Sequence, residues 1–215
     1  MTLVRIEYIK LYESLLDSSY LSIPSSIMPK ILILYATGEG QTLKIAERIA
    51  QVIRDTSGSE IILKNAKETL PEDFSCRDFD GILLGSSLRN RRYANSIVDF
   101  IRKYKVDLES RPSGFFSVSG GDGCWWSKLV DQLVDRTLKE WGWQPKLVGR
   151  FGGAMLYTQY DFWTKWSMWA GGIIMGYPHD TSRDHELTDW DQVEKFASDF
   201  VDEFKGQTAE SEVRS

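Results

Sequence analysis

The stretch LYATGEGQTLKIAERIA, residues 34–50, changes from strand-like to helix-like in its middle, with a glycine-bearing turn between the two halves. Its left half completes the apolar run ILILY (31–35), which is typical of a strand buried on both faces of a sheet. Its right half repeats apolar residues at helical spacing. The stretch therefore predicts a buried strand, a short turn and an amphipathic helix. The apolar face of that helix comprises Leu43, Ala46, Ile49, Ala50 and Ile53.

The same alternation of strand and helix continues along the chain. Apolar runs predict further strands at 60–64, 80–87, 114–118 and 146–155, and helical periodicity lies between or after them. Such alternation builds a parallel sheet with right-handed crossovers and helices on both faces. We therefore predict an α/β fold with a doubly wound, five-stranded parallel sheet. Three later helices are predicted from the apolar residues within 94–101, 129–138 and 190–204.

Composition limits the classes of protein to consider. A chain of 215 residues that is 42% hydrophobic suits one well-cored domain. Its net charge of −5 argues against sequence-independent binding of nucleic acid, which needs a basic surface. The two cysteines, Cys76 and Cys124, favour a reducing compartment and hence the cytoplasm. With only two histidines and no ligand spacing, no metal site is predicted.

The ends of the chain differ from its centre. Residues 1–27 have no apolar core or cleavage site of a secretory signal, and SIPSSIMPK (22–30), which begins at their end, reads as a linker with a second plausible start at Met28. We expect 1–27 to be a peripheral extension, 28–206 to be the domain and 207–215 to be a disordered tail.

The turn after the first strand carries amides and hydroxyls. In an open parallel sheet the ligand crevice lies beyond the carboxyl ends of the strands, and a helix N-terminus there favours an anion such as phosphate. The turn lacks the Walker pattern and the dinucleotide fingerprint, and an ordinary strand-to-helix turn remains the alternative. The candidate phosphate-binding residues are Thr37, Gly38, Glu39, Gly40, Gln41 and Thr42.

TGEGQT resembles the phosphate loop of flavodoxins, with Thr37, Gly40 and Thr42 at matching positions and Glu39 where threonine is usual. It is more similar to the loop of the flavodoxin-like, menaquinone-dependent protoporphyrinogen oxidases, where an acidic residue precedes G-Q-T. The likeness extends over roughly 29–204 and implies a flavodoxin-like fold with FMN as cofactor. It is carried further by three stretches: LGSSLRNRRYANSIVDFI, GRFGGAMLYTQYDFWTKW and TDWDQVEKFA.

The resemblance implies that two more loops complete the FMN site. The loop after the third strand would pack against the isoalloxazine ring, and the loop after the fourth would bring backbone amides to its pyrimidine side. Because a carboxylate does not favour a phosphate, we expect the Glu39 side chain to turn away from the pocket while its backbone amide contributes. These loops supply Ser86, Ser87, Leu88, Arg89 and Asn90, and then Ser117, Val118, Ser119 and Gly120.

The resemblance also implies a substrate. Arg91 and Arg92 follow Arg89 at the expected flavin rim, and arginine binds carboxylates bidentately. A porphyrinogen carries two propionates, so Arg91, Arg92 and Tyr157 are candidate substrate-binding residues. A solvated basic turn is the alternative. No general base stands out, and no catalytic residue is assigned.

The segment 152–187 is much longer than a connection between the last strand and the last helix requires. Trp163, Trp166 and Trp169 recur in it every three residues, which suits an element lying in a membrane interface. A lid on the protein's own surface or an oligomer interface would use the same residues. We call this segment the aromatic insertion.

The implied function is an FMN-dependent oxidoreductase that oxidises protoporphyrinogen IX to protoporphyrin IX in haem biosynthesis and passes electrons to menaquinone or another quinone. It would be cytoplasmic, with peripheral contact to the cytoplasmic face of the inner membrane as an open possibility. SVSGGDGCWW is closer to the corresponding loop of electron-carrier flavodoxins. The alternatives are therefore a flavodoxin-type electron carrier and a membrane-associated interaction protein with a vestigial flavin site.

Overall fold

The computed structural model describes residues 28–120, 127–163, 165–167, 169 and 180–214, with side chains described as far as 206. Strands and helices alternate along these residues as the sequence predicts. A short antiparallel pair of strands, Ala154–Met155 and His185–Glu186, lies within the aromatic insertion. The elements are β1 (Lys30–Ala36), α1 (Gln41–Ser57), β2 (Glu60–Asn65), β3 (Gly81–Ser87), α2 (Asn95–Glu109), β4 (Ser113–Ser119), α3 (Ser127–Trp141), β5 (Leu147–Gly152), β6 (Ala154–Met155), β7 (His185–Glu186) and α4 (Trp190–Arg214).

The main sheet has the strand order β2-β1-β3-β4-β5, and every neighbouring pair is parallel. The chain runs outward from β1 to β2 and then crosses back to β3, so the order reverses between β1 and β3. In sheets of this type the crevice at such a reversal receives the ligand. The structure thus confirms the predicted doubly wound, five-stranded parallel sheet.

The side chains of β1 alternate between two apolar layers. Ile31 and Ile33 pack in the cluster that includes residues of α1 and α4, whereas Leu32 and Leu34 pack in the cluster with α2 and α3. All four side chains are essentially inaccessible to solvent. A strand covered on both faces requires apolar residues at consecutive positions, which explains the run ILILY.

The last helix begins at a side-chain cap. The Asp189 carboxylate accepts hydrogen bonds from the backbone amides of Asp191 and Gln192 at 3.1 and 3.2 Å. Thr188, the other candidate cap, instead donates its hydroxyl to the carbonyl of Gly152 at 2.7 Å. Asp189 therefore starts α4, and Thr188 ties the end of the insertion to the end of β5.

One expectation needs correction, and it concerns the apolar face of α3. Leu129, expected on the apolar face of α3, is 57% exposed because Val134 and Leu138 cover the sheet from that helix. The predicted extension 1–27 lies outside the described residues. Within the part of the chain that the structure describes, every helix is too short or too polar to cross a bilayer.

The aromatic insertion begins and ends in the β6–β7 pair. Ala154 pairs with Glu186 and Met155 with His185 in antiparallel register. The backbone amide and hydroxyl of Thr158 donate to the Asp184 carboxylate at 2.8 and 2.9 Å. The insertion therefore leaves and rejoins the domain at one closed base. Its residues 170–179, with Ile173, Ile174, Met175 and Tyr177 among them, lie outside the described residues.

We expect Gly85→Ala to lower the free energy of unfolding by about 2 kcal/mol, because a methyl group there would overlap the ring of Phe116. That ring cannot move easily, since Phe116 is fully buried between Phe151 and Phe196, with ring centroids 6.3 Å from each. Urea unfolding measures the change.

The matched control is Gly206→Ala in α4, where the added methyl group meets no described atom within 4 Å. Alanine should stabilise this helix by about 0.5–1 kcal/mol. A Gly85→Ala protein as stable as the wild type would show that the β3–β4 layer is not tightly packed.

Candidate cofactor-binding site

A cleft lies at the carboxyl ends of four neighbouring strands, β1, β3, β4 and β5. Because these strands are parallel, the loops that follow them meet at one edge of the sheet. The cleft is lined by Thr37, Gly38, Glu39, Gln41, Thr42, Ser87, Leu88, Arg89, Val118, Ser119, Gly120, Gly153 and Ala154.

The first loop, which follows β1, leads into helix α1, and the N-terminus of that helix has no side-chain cap. Gly40 precedes α1 with a φ of 93°, in the left-handed region that favours glycine. The Thr37 hydroxyl oxygen accepts a hydrogen bond from the Gly40 amide at 2.8 Å, which closes the turn. The first turn of α1 thus has no side-chain cap, and its dipole favours an anion at this position.

Glu39 lines the cleft, and its carboxylate binds two side chains from other loops. Its Oε1 accepts a hydrogen bond from Nη2 of Arg89 at 2.8 Å, and its Oε2 accepts one from the Tyr160 hydroxyl at 3.0 Å. Arg89 itself lines the cleft, and its guanidinium crosses Gly38 so closely that a Cβ there would lie 2.8 Å from Nη1. The negative charge of Glu39 is therefore balanced by an arginine beside it.

Tyr160 is held in the form that donates to Glu39. Burial raises the pKa of Tyr160, and the adjacent Glu39 carboxylate raises it further. Tyrosine is protonated at neutral pH even at its ordinary pKa, and the shift adds to that preference. The Tyr160 hydroxyl therefore acts as the donor in the hydrogen bond that joins the insertion to the first loop.

Gln41 binds the other end of the insertion. Its side-chain nitrogen donates to Oε1 of Glu186 at 3.0 Å and to the Thr188 hydroxyl at 2.8 Å. Gln41 lines the cleft but is almost fully buried, and so is Thr42 beside it. The Gln41 amide group therefore fixes the insertion, and only its backbone remains for a ligand.

The loop after β3 contains a tight turn. Arg89 and Arg92 exchange backbone hydrogen bonds at 3.0 and 2.9 Å, while Asn90 and Arg91 have φ angles of 49° and 62°. Two consecutive residues with positive φ are typical of a type I′ turn. The turn places Arg89 in the lining of the cleft and leaves Asn90, Arg91 and Arg92 exposed outside it.

Three other predicted residues lie behind the lining. The Ser86 side chain is fully buried and accepts a long hydrogen bond, 3.4 Å, from the Ala94 amide. Ser117 accepts a hydrogen bond from the Tyr93 hydroxyl at 2.9 Å, and burial raises the pKa of Tyr93 to about 12. Gly40 shapes the first loop without lining the cleft. Ser86 and Ser117 support the site from within the sheet edge, and Gly40 supports it from the start of α1.

Tyr157, a predicted substrate-binding residue, is fully buried. Its ring makes edge contacts with the rings of Tyr160 and His185, with centroids 6.0 and 5.8 Å apart. Tyr157 therefore packs the base of the insertion, and its part in substrate binding stays a prediction.

Gly153 and Ala154 line the cleft and were missed from the sequence. The Gly153 amide donates to the carbonyl of Ser119 at 2.8 Å, and its carbonyl accepts from Leu187 at 2.9 Å. The signal was present in the glycine pair Gly152 and Gly153 at the end of β5, since β5 ends at the same edge as the other three strands.

The cleft combines features that suit a phosphorylated, flat, partly polar ligand. Its first loop offers the hydroxyls of Thr37 and Thr42 at a helix N-terminus, and Leu88 and Val118 supply apolar walls. Gly120 leaves open space beside the backbone, since a Cβ there would have, among the described atoms, the Met155 methyl alone within 4 Å, at 3.8 Å. These donors and walls fit FMN.

Curated relatives span most of the chain. A protoporphyrinogen IX dehydrogenase (quinone) of Leishmania major is 28% identical over 184 residues, which cover 82% of this chain and 77% of the relative. The Escherichia coli K12 protein of the same name is 26% identical over 174 residues, covering 80% of this chain and 94% of the relative. A flavodoxin of Aquifex aeolicus is 31% identical over 103 residues, covering 45% and 53%.

Among solved structures, the flavodiiron core of Synechocystis Flv1 covers 92% of this chain and 41% of its own, with a TM-score of 0.50 and 16% identity. Oxidised flavodoxin 1 of Bacillus cereus covers 80% and 97%, with a TM-score of 0.46 and 20% identity. The sequence model of the flavodoxin domain matches residues 32–182, well over half of the chain. The chain therefore belongs to the flavodoxin-domain family, for which FMN is the cofactor.

Proposed function

We propose that this protein is an FMN-dependent oxidoreductase that oxidises protoporphyrinogen IX to protoporphyrin IX and passes the electrons to menaquinone or another quinone. The observation that carries the proposal is the extent of the likeness. The two relatives named as quinone-linked protoporphyrinogen IX dehydrogenases match about four fifths of the chain, whereas the Aquifex flavodoxin matches less than half.

The cofactor would be held by the loops that line the cleft. Thr37, Thr42 and the first amides of α1 would bind the FMN phosphate, and Leu88 and Val118 would contact the ring. Preplaced backbone dipoles at Ser119 and Gly120 would stabilise negative charge on the ring side of the site. When bound, FMN supplies the redox chemistry, and the protein supplies binding, orientation and electrostatics.

Arg91 and Arg92 would bind the substrate carboxylates. Both are exposed on the tight turn next to Arg89, which lines the cleft. The turn would carry two guanidinium groups to the rim of the site, where each could bind a propionate bidentately. No described residue is assigned as a catalytic acid or base.

The aromatic insertion would bring the site to the bilayer that holds the quinone. Trp163, Trp166 and Trp169 have helical backbone and side chains that are 76%, 58% and 42% exposed, and Phe162 beside them is 72% exposed. Exposed indoles on a helix suit the membrane–water interface. We propose a cytoplasmic protein that contacts the membrane peripherally through this face.

A flavodoxin-type electron carrier without a small-molecule substrate is the second candidate. It is favoured by the likeness to the Aquifex flavodoxin, which is higher in identity although shorter in extent. The two candidates share the cofactor and differ only in whether a porphyrinogen reduces it.

Thr42→Ala should weaken FMN binding by about tenfold or more and leave riboflavin binding nearly unchanged, because it removes a hydroxyl that would bind a charged phosphate. Fluorescence titration with both flavins measures the difference. The control is Thr56→Ala, the same change at an exposed position in the last turn of α1. An equal loss for both flavins would show that the first loop does not bind the phosphate.

Anaerobic stopped-flow mixing of the FMN-loaded protein with protoporphyrinogen IX should bleach the oxidised flavin, and a menaquinone analogue should restore its absorbance. The double variant Arg91→Gln, Arg92→Gln should bleach about three- to tenfold more slowly at low substrate concentration, since it loses two exposed carboxylate contacts.

The charge-matched control is Arg102→Gln, Arg136→Gln, which changes two exposed arginines on α2 and α3. Equal rates for both double variants would make the Arg89–Arg92 turn a solvated basic turn. Absence of bleaching by the porphyrinogen, in protein that dithionite does bleach, would favour the electron carrier.

Replacing Trp163, Trp166 and Trp169 together by Ser should reduce sedimentation with phosphatidylethanolamine–phosphatidylglycerol vesicles at least about tenfold, since each buried indole contributes on the order of 1–2 kcal/mol. FMN binding should persist. The control is Val106→Ser, Leu129→Ser, which removes two exposed apolar side chains outside the insertion.

Unchanged sedimentation of the folded triple variant would contradict the membrane proposal. Loss of folding or of the flavin would show that the insertion is a lid, and a change in oligomeric state would show that it is an interface between copies.

A further inference from the structure

Glu39 joins three parts of the chain that are far apart in sequence. It lies in the loop after β1, Arg89 lies in the turn after β3, and Tyr160 lies at the start of the aromatic insertion. Each carboxylate oxygen has its own partner, with Oε1 accepting from Arg89 at 2.8 Å and Oε2 from Tyr160 at 3.0 Å. The Glu39 side chain is only about a quarter exposed, at 27%.

The other end of the insertion is bound to the same loop. Gln41 donates to Glu186 in β7 and to Thr188 just beyond it. Gln41 and Glu39 flank Gly40, whose left-handed conformation sets the shape of the loop. A change in that shape would therefore disturb the contacts at both ends of the insertion.

This arrangement accounts for an acid in a loop that would hold a phosphate. Threonine, which is usual at this position in the flavodoxin phosphate loop, has one hydroxyl oxygen and a shorter side chain. Glutamate offers two oxygens that accept from an arginine and a tyrosine at the same time. The cost of a negative charge near a phosphate is reduced because the Arg89 guanidinium lies beside it.

We propose that Glu39 is a positioning residue that couples two events. One is binding of phosphate to the first loop (37–42), here called the cofactor loop, and the other is packing of the aromatic insertion against that loop. Binding of phosphate would fix the loop in the conformation in which Glu39 and Gln41 hold the insertion. Coupling of this kind is reciprocal, so the docked insertion strengthens binding of the phosphate in turn. The proposal rests on the FMN phosphate occupying this loop, but not on a porphyrinogen as substrate.

The experiment is hydrogen exchange, followed by mass spectrometry, of peptides covering 154–169 in the protein alone, with riboflavin and with FMN. In the wild type, FMN should slow exchange in these peptides more than riboflavin does. Tyr160→Phe removes one hydrogen bond without changing any charge. It should abolish this phosphate-specific protection and weaken FMN binding by roughly fivefold, with riboflavin binding unchanged.

Thr158→Val is the matched control. Thr158 lies in the same segment and binds Asp184 at the base of the insertion, but it makes no contact with the cofactor loop among the described residues. This variant should exchange faster in all three states by the same factor and keep the difference between FMN and riboflavin. Faster exchange in all three states therefore indicates that the insertion is less stable, whereas loss of the difference between FMN and riboflavin indicates that the coupling is lost.

Glu39→Thr tests the acid itself. The substitution removes a negative charge near the phosphate, which should raise the affinity for FMN. It also removes the contacts to Arg89 and Tyr160, which should lower that affinity. Exchange is therefore the decisive measurement, and the phosphate-specific protection should be lost even where FMN affinity is unchanged or higher.

Two results would overturn the proposal. One is equal protection by riboflavin and FMN in the wild type. The other is a Tyr160→Phe protein in which the phosphate-specific protection persists. Neither result depends on substrate turnover, so a protein that shows the protection but is not reduced by protoporphyrinogen IX would refute only the proposed function.

Discussion

Strand β1 has hydrogen-bonded neighbours on both edges and apolar layers on both faces, so it can meet a polar ligand only where it ends. The same holds for β3 and β4, which lie inside the sheet. Polar chemistry is consequently confined to the loops at the carboxyl edge, and the parallel arrangement collects those loops in one place. The cleft, the arginine turn and the attachment of the insertion all follow from this confinement.

The electrostatics of the cleft depend on a balance at its first loop. The helix N-terminus and the Thr37 and Thr42 hydroxyls favour an anion, whereas Glu39 opposes one. The Arg89 guanidinium beside Glu39 offsets the negative charge of that carboxylate. The same Glu39 carboxylate also accepts a hydrogen bond from the Tyr160 hydroxyl, so it connects the first loop to the aromatic insertion.

Much of this structure could be predicted from the sequence because it depends on local patterns. Local residue patterns predict β1 from its apolar run, α1 from its helical repeat and the first loop from its glycines. Because ligands bind at the carboxyl ends of parallel strands, most of the lining residues could then be placed together.

What could not be predicted depends on long-range contacts. Nothing near Glu39 indicates that Tyr160, 121 residues away, would bind it. Tyr157 also looks like a ligand-binding aromatic until its burial under His185 is seen.

The narrow base of the aromatic insertion has an evolutionary consequence. Its ends meet where the Thr188 hydroxyl reaches the Gly152 carbonyl, and only two residue pairs of β6 and β7 close it. A chain without the insertion could pass from β5 to α4 by a short turn, because closing a small gap of this kind costs little conformational entropy. The sheet would not need to be rethreaded. An ancestral domain could therefore acquire, lose or exchange the part of this segment beyond β6 and β7 as a cassette, while Gly153 and Ala154 stay in the lining of the cleft.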